Sequence, residues 1–321
     1  EDLTCINEKK VTSNFYDKSI SNLLDLKNYG FYENKNKIEP FKLNSKIVEE
    51  YAETRNFPSL NSTSKIGPYL RFGTVSIRKV VSGLLSFKDE TFLNELIWRE
   101  FFMQILYHFP HTATNSFKPK YDKIVWLNEP NSLEAWKKGE TGFPMVDASM
   151  RYLKETGWIN FRMRAMLISF ASYNLWLDWK KTSKHLASLF TDYEPGIHYN
   201  QIQMQSGVTG INAIRIYNPI KQQIDHDPDG KFVKKWCPEL ADLPIDYLTQ
   251  PHLMSEALQN KVGCTIGIDY PAPIIDLKIS GLLARKKIFD IKKLPETRKL
   301  SQEVYEKHGS RRKKYVRSYS Q

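Results

Sequence analysis

The sequence has few cysteines, and it lacks the common signatures of metal and nucleotide sites. Its 321 residues include three scattered cysteines, Cys5, Cys237 and Cys264, with no Cys-x-x-Cys pair. A sparse, odd set argues against a disulfide framework, zinc or an iron–sulfur cluster, and it favours a reducing cytoplasm. Neither a Gly-x-Gly-x-x-Gly nor a Walker sequence is present, which argues against a Rossmann or P-loop site. We therefore expect no bound metal.

Long apolar runs are absent as well. The most apolar stretch, residues 165–179, is interrupted by Ser169, Ser172 and Asn174, which is typical of a buried core helix rather than a membrane span. The N-terminus shows no basic region followed by an apolar run, so no secretory signal is visible. No Ser or Cys nucleophile is paired with a base, and hydrolytic chemistry has no support. We expect no membrane association.

The composition favours an anionic partner only moderately. Apolar residues make up 41% and aromatic residues 13% of the chain, the net charge is +11, and the pI is near 9.3. Excess positive charge attracts nucleic acid or an acidic membrane, but lysine on any surface also serves solubility.

The apolar pattern divides the chain into three parts. We interpret residues 1–45 as an extended, polar lead-in, residues 46–305 as one helical domain, and residues 306–321 as a basic tail. The tail is more typical of a solvated terminus than of a DNA-binding arm. Because short apolar strands do not alternate with helices, a doubly wound α/β domain is excluded and an all-α fold is predicted.

Helix signals are clearest in the middle of the chain. Asp89 is a candidate N-cap for a helix through about Tyr107. Further helices are predicted after Pro144, over about 161–177 and over about 183–190. The first of these helices carries an apolar stripe at three- and four-residue spacing: Phe92, Leu93, Leu96, Ile97, Phe101 and Ile105.

Four residues of that helix share part of one surface, namely Glu95, Trp98, Arg99 and Phe102. The simpler interpretation is a surface pair of Glu95 with Arg99 and a core Trp98. The functional interpretation is a pocket wall, in which the indole stacks on a base and the carboxylate accepts hydrogen bonds from a base edge.

Charged residues elsewhere also allow two interpretations. Arg162 and Arg164 lie on a predicted helix whose other residues are mostly apolar, so their charges need partners, and Asp192 and Glu194 are candidates. A purely structural ion pair explains this pattern as well as a functional site does. His198 alone is more often structural than catalytic.

Several segments, taken in order over residues 47–290, resemble the flavin-binding domain of the photolyase and cryptochrome family. The segments are Arg55-Asn-Phe-Pro58, Thr63-Ser64, residues 94–101, 136–151, 156–158 and 162–164, Asp178-Trp179, residues 215–219, 236–240 and 269–276. The resemblance implies a multi-helix FAD-binding domain. The family's N-terminal α/β antenna domain has no counterpart here, so we expect no antenna chromophore.

The resemblance also implies roles for individual residues. The FAD phosphates and adenine side would be held by Tyr51, Thr63, Ser64, Lys65 and Ile66. Arg164 would pair with Asp192 beside the isoalloxazine ring, with Glu194 as a second acidic contact. Glu95 and Trp98 would face the damaged bases, with Met204 beside them. Arg162 and Arg215 would face the DNA phosphates. Trp126 and Trp179 would belong to the electron relay.

Departures from the family pattern concentrate at the flavin and the substrate. The phosphate motif has Lys65 and Gly67, and a His-Asn pair is replaced by Asn160-Phe161. His198 stands opposite flavin N5, where it would protonate or hydrogen-bond the reduced ring. The flavin-proximal relay tryptophan is Ile202, and the second stacking tryptophan of the substrate pocket is Met204. We therefore expect photoreduction either to use Trp176, Tyr173 or Tyr199 as a substitute in the relay or to be feeble.

The resemblance favours a monomeric, light-driven lyase for cyclobutane pyrimidine dimers in DNA, with Glu95, Trp98 and His198 as the catalytic group. The (6-4) photoproduct fits less well because the paired histidines of that pocket are missing. The alternative is a cryptochrome-type blue-light receptor without repair activity. A flavin-free helical nucleic-acid binder fits least.

Overall fold

The described part of the chain is all helical. A computed structural model describes residues 25–30, 32, 38, 40–210 and 214–293. In these ranges there is no β-strand, and one isolated bridge joins Ile266 to Tyr270. The predicted all-α class is confirmed. The α-helices are α1 (Ser45–Glu49), α2 (Tyr51–Thr54), α3 (Gly67–Arg71), α4 (Ile77–Leu84), α5 (Thr91–His108), α6 (Pro130–Lys138), α7 (Pro144–Thr156), α8 (Phe161–Ser169), α9 (Trp179–Leu189), α10 (Pro195–Ser206), α11 (Pro219–His226), α12 (Lys231–Trp236), α13 (Ile245–Leu248), α14 (Glu256–Val262) and α15 (Leu277–Lys293).

Most of the predicted helix bounds agree with the structure, and one start and one end differ. The Asp89 carboxylate accepts the backbone N–H of Thr91 at 2.7 Å, although Glu90 is the capping position of α5. The predicted extension of α8 to residue 177 is wrong, because a π-helical turn over Phe170–Asn174 follows Ser169 and ends the run. α9 begins at Trp179, four residues before the predicted start, because Asp178 caps it by accepting Lys180 N–H at 2.9 Å.

The predicted apolar stripe of α5 is wrong in part. Ile97 and Phe101 are exposed, whereas Phe102 is buried. The apolar residues of α5 are spread around most of the helix circumference, so their spacing alone does not identify the face that packs on the core. The buried side is chosen by packing against α10, and Trp98 remains 51% exposed.

The core has two separate clusters of buried side chains. The larger is built mainly from α6 to α10 and α12 and includes Trp136, Met163 and Trp179. The smaller joins α1, α3, α4 and α5 through residues such as Val48 and Leu70. Burial of apolar surface stabilises each cluster, and the functional cleft described below lies between them.

A buried carboxylate fixes the loop that precedes α7. Asp147 accepts hydrogen bonds from the backbone N–H of Thr141 at 2.8 Å, of Gly142 at 3.0 Å and from the Tyr270 hydroxyl at 2.5 Å. Gly142 has a φ of 77°, and a Cβ there would lie 2.4 Å from Ala272 carbonyl carbon. Glycine is therefore required, and the loop is closed against the segment after Tyr270.

Some sequence predictions fall mostly outside the described residues. The basic tail 306–321 and most of the lead-in 1–45 lie there, as does Cys5. Cys237 and Cys264 are free thiols. None of the helices in the described ranges combines the length and apolarity needed to cross a bilayer.

Candidate functional site

Three adjoining cavities among the described residues form a cleft between the two core clusters. The inner cavity, about 250 Å³, is lined by Arg164, Asp192, His198 and Ile202 among others. The Ser64 cavity, about 270 Å³, is lined on one side by Tyr51, Thr63, Ser64, Lys65 and Ile66. The Trp98 pocket, about 410 Å³, is lined by Glu95, Trp98, Met204 and Arg215 among others.

The cavities share walls. Arg99 and Phe161 line all three, and Gly67 and Trp158 line both the inner cavity and the Ser64 cavity. A ligand in the inner cavity would therefore lie directly beside a ligand in the Trp98 pocket. Most of the residues that the sequence singled out for cofactor and substrate are brought together here.

A bidentate ion pair forms the floor of the inner cavity. Arg164 Nη1 and Nη2 donate to Asp192 Oδ1 and Oδ2 at 3.0 and 2.9 Å, and Arg164 Nε donates to the Ile159 carbonyl at 2.7 Å. Asn160 caps α8 by accepting Met163 N–H at 3.1 Å, which places Arg164 in the first turn of the helix. The predicted contact exists, and its role toward a cofactor stays a prediction.

The glycine at the start of α3 is required by this ion pair. A Cβ on Gly67 would lie 2.9 Å from Asp192 Oδ2, closer than side-chain atoms normally approach. Gly67 is thus the residue that lets α3 come close to Asp192, and it leaves open space where the inner cavity meets the Ser64 cavity.

Glu194 has a structural partner that the sequence did not reveal. Its carboxylate caps α10 at Gly196 N–H and forms an ion pair with Arg71 Nε at 3.4 Å. Arg71 Nε also donates to the Tyr193 carbonyl at 2.8 Å. Arg71 lines the inner cavity, and its only signal in the sequence was its position at the end of α3.

The Ser64 cavity is lined by the hydroxyl-bearing residues Thr63 and Ser64. Ser64 is buried, and its Oγ lies 3.4 Å from Ile66 N–H. Lys65 has a φ of 51°, and its ammonium group lies 5.5 Å from the centre of the Trp158 ring. Burial, followed by the charge of Glu95, raises the pKa of Tyr51 to about 12, so Tyr51 stays a neutral hydrogen-bonding phenol.

His198 is buried and already bonded on one side of its ring. Its Nε2 lies 2.9 Å from the Ser183 carbonyl oxygen, and because a carbonyl can only accept, Nε2 carries the proton. Burial lowers the pKa of His198 to about 4. Near neutral pH the imidazole is therefore uncharged and offers its Nδ1 lone pair, which fits the expected hydrogen bond to a reduced ring better than the expected protonation. The role of His198 toward a cofactor stays a prediction.

The Trp98 pocket agrees with the functional interpretation of α5. Trp98 stacks on Phe102 with 5.7 Å between ring centroids, meets Phe101 nearly at right angles at 5.3 Å, and is still 51% exposed. The simpler interpretation, a Glu95–Arg99 pair with a core tryptophan, is wrong. Glu95 pairs instead with Arg55, forty residues earlier, and Arg99 donates to the Leu70 carbonyl at 3.3 Å.

Basic and soft side chains complete the rim. The Arg162 guanidinium donates to Asn56 Oδ1 at 3.3 Å and lies 5.9 Å from the Tyr217 ring centre. Arg215 is exposed beside Met204 in the Trp98 pocket. Arg162 lines the Ser64 cavity instead, so the two arginines predicted to contact phosphates line different cavities of the cleft.

The predicted relay tryptophans have different surroundings. Trp179 is fully buried, and Ile202 occupies the wall of the inner cavity. Trp126 packs on Trp176 with 4.9 Å between ring centroids, and Trp176 Nε1 donates to the Val125 carbonyl at 2.9 Å. Trp176, named above as a substitute, is thus the ring that Trp126 contacts.

The residues present suit a folded dinucleotide with one flat ring. Trp158, Phe190 and Ile168 give the inner cavity broad apolar walls beside the Arg164 ion pair, whereas the Ser64 cavity offers hydroxyls and cations that suit phosphates. The described residues contain no group of three or more His, Cys, Asp or Glu side chains able to hold a metal ion.

Comparisons with known proteins agree with this geometry. Residues 92–289 match the sequence family described as the FAD binding domain of DNA photolyase. The deoxyribodipyrimidine photo-lyase of Alkalihalophilus pseudofirmus is 35% identical over 239 residues, which cover 72% of this chain and 50% of the relative. The chain therefore spans about half the length of the curated relatives it matches.

Two solved structures are similar in fold and sequence. A class III photolyase from Agrobacterium tumefaciens has a TM-score of 0.72 and 31% identity, covering 77% of this chain and 53% of the other. A cryptochrome from Synechocystis has a TM-score of 0.70 and 30% identity, covering 74% and 52%.

Proposed function

The chain belongs to the family of the FAD binding domain of DNA photolyase, and from this we propose that it is a light-driven lyase for cyclobutane pyrimidine dimers in DNA. FAD is its cofactor. The observation that carries the proposal is the shared wall of Arg99 and Phe161 between the inner cavity and the Trp98 pocket. That wall brings a stacking tryptophan to the edge of the cofactor site.

The chain's own residues would hold the cofactor at both ends. The Arg164–Asp192 pair would orient the ring system, and the Thr63 and Ser64 hydroxyls would bind phosphate oxygens, aided by the nearby charge of Lys65. Reduced FAD, when bound, supplies a light-excited electron donor. The apolar faces of Trp158 and Phe190 would exclude water from the ring.

The Trp98 pocket would receive the lesion after the dimer leaves the base stack. The indole would stack on one pyrimidine, and the Glu95 carboxylate, oriented by Arg55, would accept an N–H from the base edge. Splitting the dimer would break its two cyclobutane C–C bonds, and the electron that the bound cofactor would lend for this cleavage would be regained at the end. The net reaction is therefore redox-neutral and needs no water or metal.

Contacts to the DNA backbone would come from the rim. Arg215 is exposed and lines the Trp98 pocket, and Arg162 lines the Ser64 cavity. Together with the net charge of +11, they would give affinity that falls as salt rises. We further propose a monomer acting in a reducing cytoplasm, which the free thiols of Cys237 and Cys264 support.

The direct test is repair of a defined substrate. Protein reduced under anaerobic conditions is mixed with dimer-containing oligothymidylate and illuminated with blue light, and dimers are counted before and after. We expect dimers to be lost in the light and retained in the dark, with slower loss in Glu95→Gln. Retention of dimers by reduced, flavin-containing protein that binds the oligonucleotide would refute the repair proposal.

The second candidate is a cryptochrome-type photoreceptor. Similarity to the Synechocystis cryptochrome and the four altered site residues Phe161, His198, Ile202 and Met204 favour it. The same assay separates the two functions, because a receptor would show a flavin spectrum and a light response while leaving the dimers intact.

A further inference from the structure

Two glutamine side chains line the wall between the inner cavity and the Trp98 pocket. Gln201 and Gln205 lie four residues apart on α10, so they project from the same face of the helix. Each lines both cavities. The sequence patterns above assign neither of them a role.

The two amides are only partly bonded. Gln205 is 7% exposed, and its Nε2 donates to Gln201 Oε1 at 3.4 Å. Among the described residues, no further hydrogen bond is made by Gln205 Oε1 or by the Gln201 amide nitrogen. Gln205 is buried, Gln201 is half-buried, and both line the open space of the two cavities, so this wall holds an acceptor and a donor that no group of the described residues uses.

A third glutamine on the same helix shows the contrast. Gln203 accepts Phe117 N–H at 2.7 Å and donates to the Thr112 and Asn115 carbonyls at 2.8 and 2.9 Å. Its amide is fully used in fixing the segment after α5. Gln201 and Gln205 have no such structural duty.

We infer that the Gln201–Gln205 pair reads the edge of a pyrimidine-2,4-dione, where an N–H lies beside carbonyl oxygens. The bond within the pair sets its polarity: Gln201 offers N–H groups, and Gln205 offers its carbonyl oxygen. Thymine and the pyrimidine ring of the flavin share this edge, and both are ligands under the proposed function, on which this inference rests. Phe161 and Trp98 supply apolar faces, so the amides carry the hydrogen bonding.

The test uses near-isosteric variants that remove the amide. Gln205→Met and Gln201→Met are compared with Gln104→Met, which alters an exposed glutamine of α5 that lines none of the three cavities. FAD is titrated into protein stripped of flavin, and a thymine-dimer oligonucleotide is titrated into the FAD-loaded protein. Because the ligand edge loses its partner, we expect weakening of about tenfold to a hundredfold, with Gln104→Met unchanged.

The two titrations show whether the glutamine pair binds the flavin or the thymine. A weaker FAD complex with a shifted flavin absorption band assigns the pair to the cofactor, and weaker dimer binding at unchanged FAD affinity assigns it to thymine. Weakening of both assigns it to the wall that the two ligands share. The inference is overturned if wild type binds both ligands and both variants stay within about twofold of it in both titrations. Failure of wild type to bind either ligand refutes the proposed function instead.

Discussion

Trp98→Ala removes the exposed indole of the Trp98 pocket, and its effect can be worked out from the structure. One face of the ring already rests on Phe102 with 5.7 Å between centroids, and the side chain is 51% exposed. About half of the side chain is thus open to contact with a base. Stacking of a base on an aromatic side chain contributes about 1–3 kcal/mol, so the dissociation constant for dimer-containing DNA should rise about 5- to 150-fold.

The same geometry predicts what Trp98→Ala leaves unchanged. Trp98 does not line the inner cavity or the Ser64 cavity, so the flavin content and absorption spectrum should match wild type. Fluorescence anisotropy with a labelled dimer oligonucleotide measures the loss. Tyr107→Ala is the matched control, because Tyr107 is an aromatic residue of the same helix, 79% exposed and outside the cleft. Loss of flavin in Trp98→Ala, or a loss of DNA affinity equal to that of Tyr107→Ala, would refute the assignment of the pocket.

Three further predictions concern the inner cavity and its support. Asp192→Asn should leave Arg164 without its charged partner, lowering FAD affinity at least tenfold and costing about 3 kcal/mol of unfolding free energy, as measured by flavin retention and urea titration. Tyr270→Phe removes one hydrogen bond from buried Asp147 and should lower the free energy of unfolding by about 1–2 kcal/mol without altering flavin binding. An unchanged urea midpoint would contradict the role of Asp147 in fixing the loop before α7. The pKa of His198 is about 4 in the folded state and about 6.5 in the unfolded state. The unfolded state therefore binds more protons between pH 4 and pH 6.5. The free energy of unfolding should fall by on the order of 3 kcal/mol as the pH drops from 6.5 to 4. His198→Gln should flatten that pH dependence in urea titrations, and an equal slope in both proteins would show that other groups cause it.

The local features of the fold were predictable where a short segment determines its own structure. Asn160 marks the start of α8 because its side chain accepts a backbone N–H of the first helical turn. Pro144 marks the start of α7 because proline has no N–H, and a helix leaves the N–H of its first residue unbonded anyway. The π-helical turn over Phe170–Asn174 was not predictable, because its sequence, Phe-Ala-Ser-Tyr-Asn, contains no Gly or Pro to mark the end of α8.

The site was predictable through the family resemblance and much less through local pattern. Glu95 was expected beside Arg99 from helix spacing, yet it pairs with Arg55 from another element. Helical periodicity specifies which side chains are neighbours on one helix, and contacts between α2 and α5 depend on how the helices dock. Arg71 and Gln205 were missed for the same reason, since only the packing of α3 and α10 turns them toward the cleft.

The central claim is that one cleft places a lesion in the Trp98 pocket against the cofactor in the inner cavity. The most direct measurement is the fluorescence of the reduced flavin while DNA is added to the loaded protein. Electron transfer to an adjacent dimer shortens the excited state, so dimer-containing DNA should quench the emission and undamaged DNA of the same length should not. Unchanged emission at a dimer concentration that saturates binding would contradict the claim.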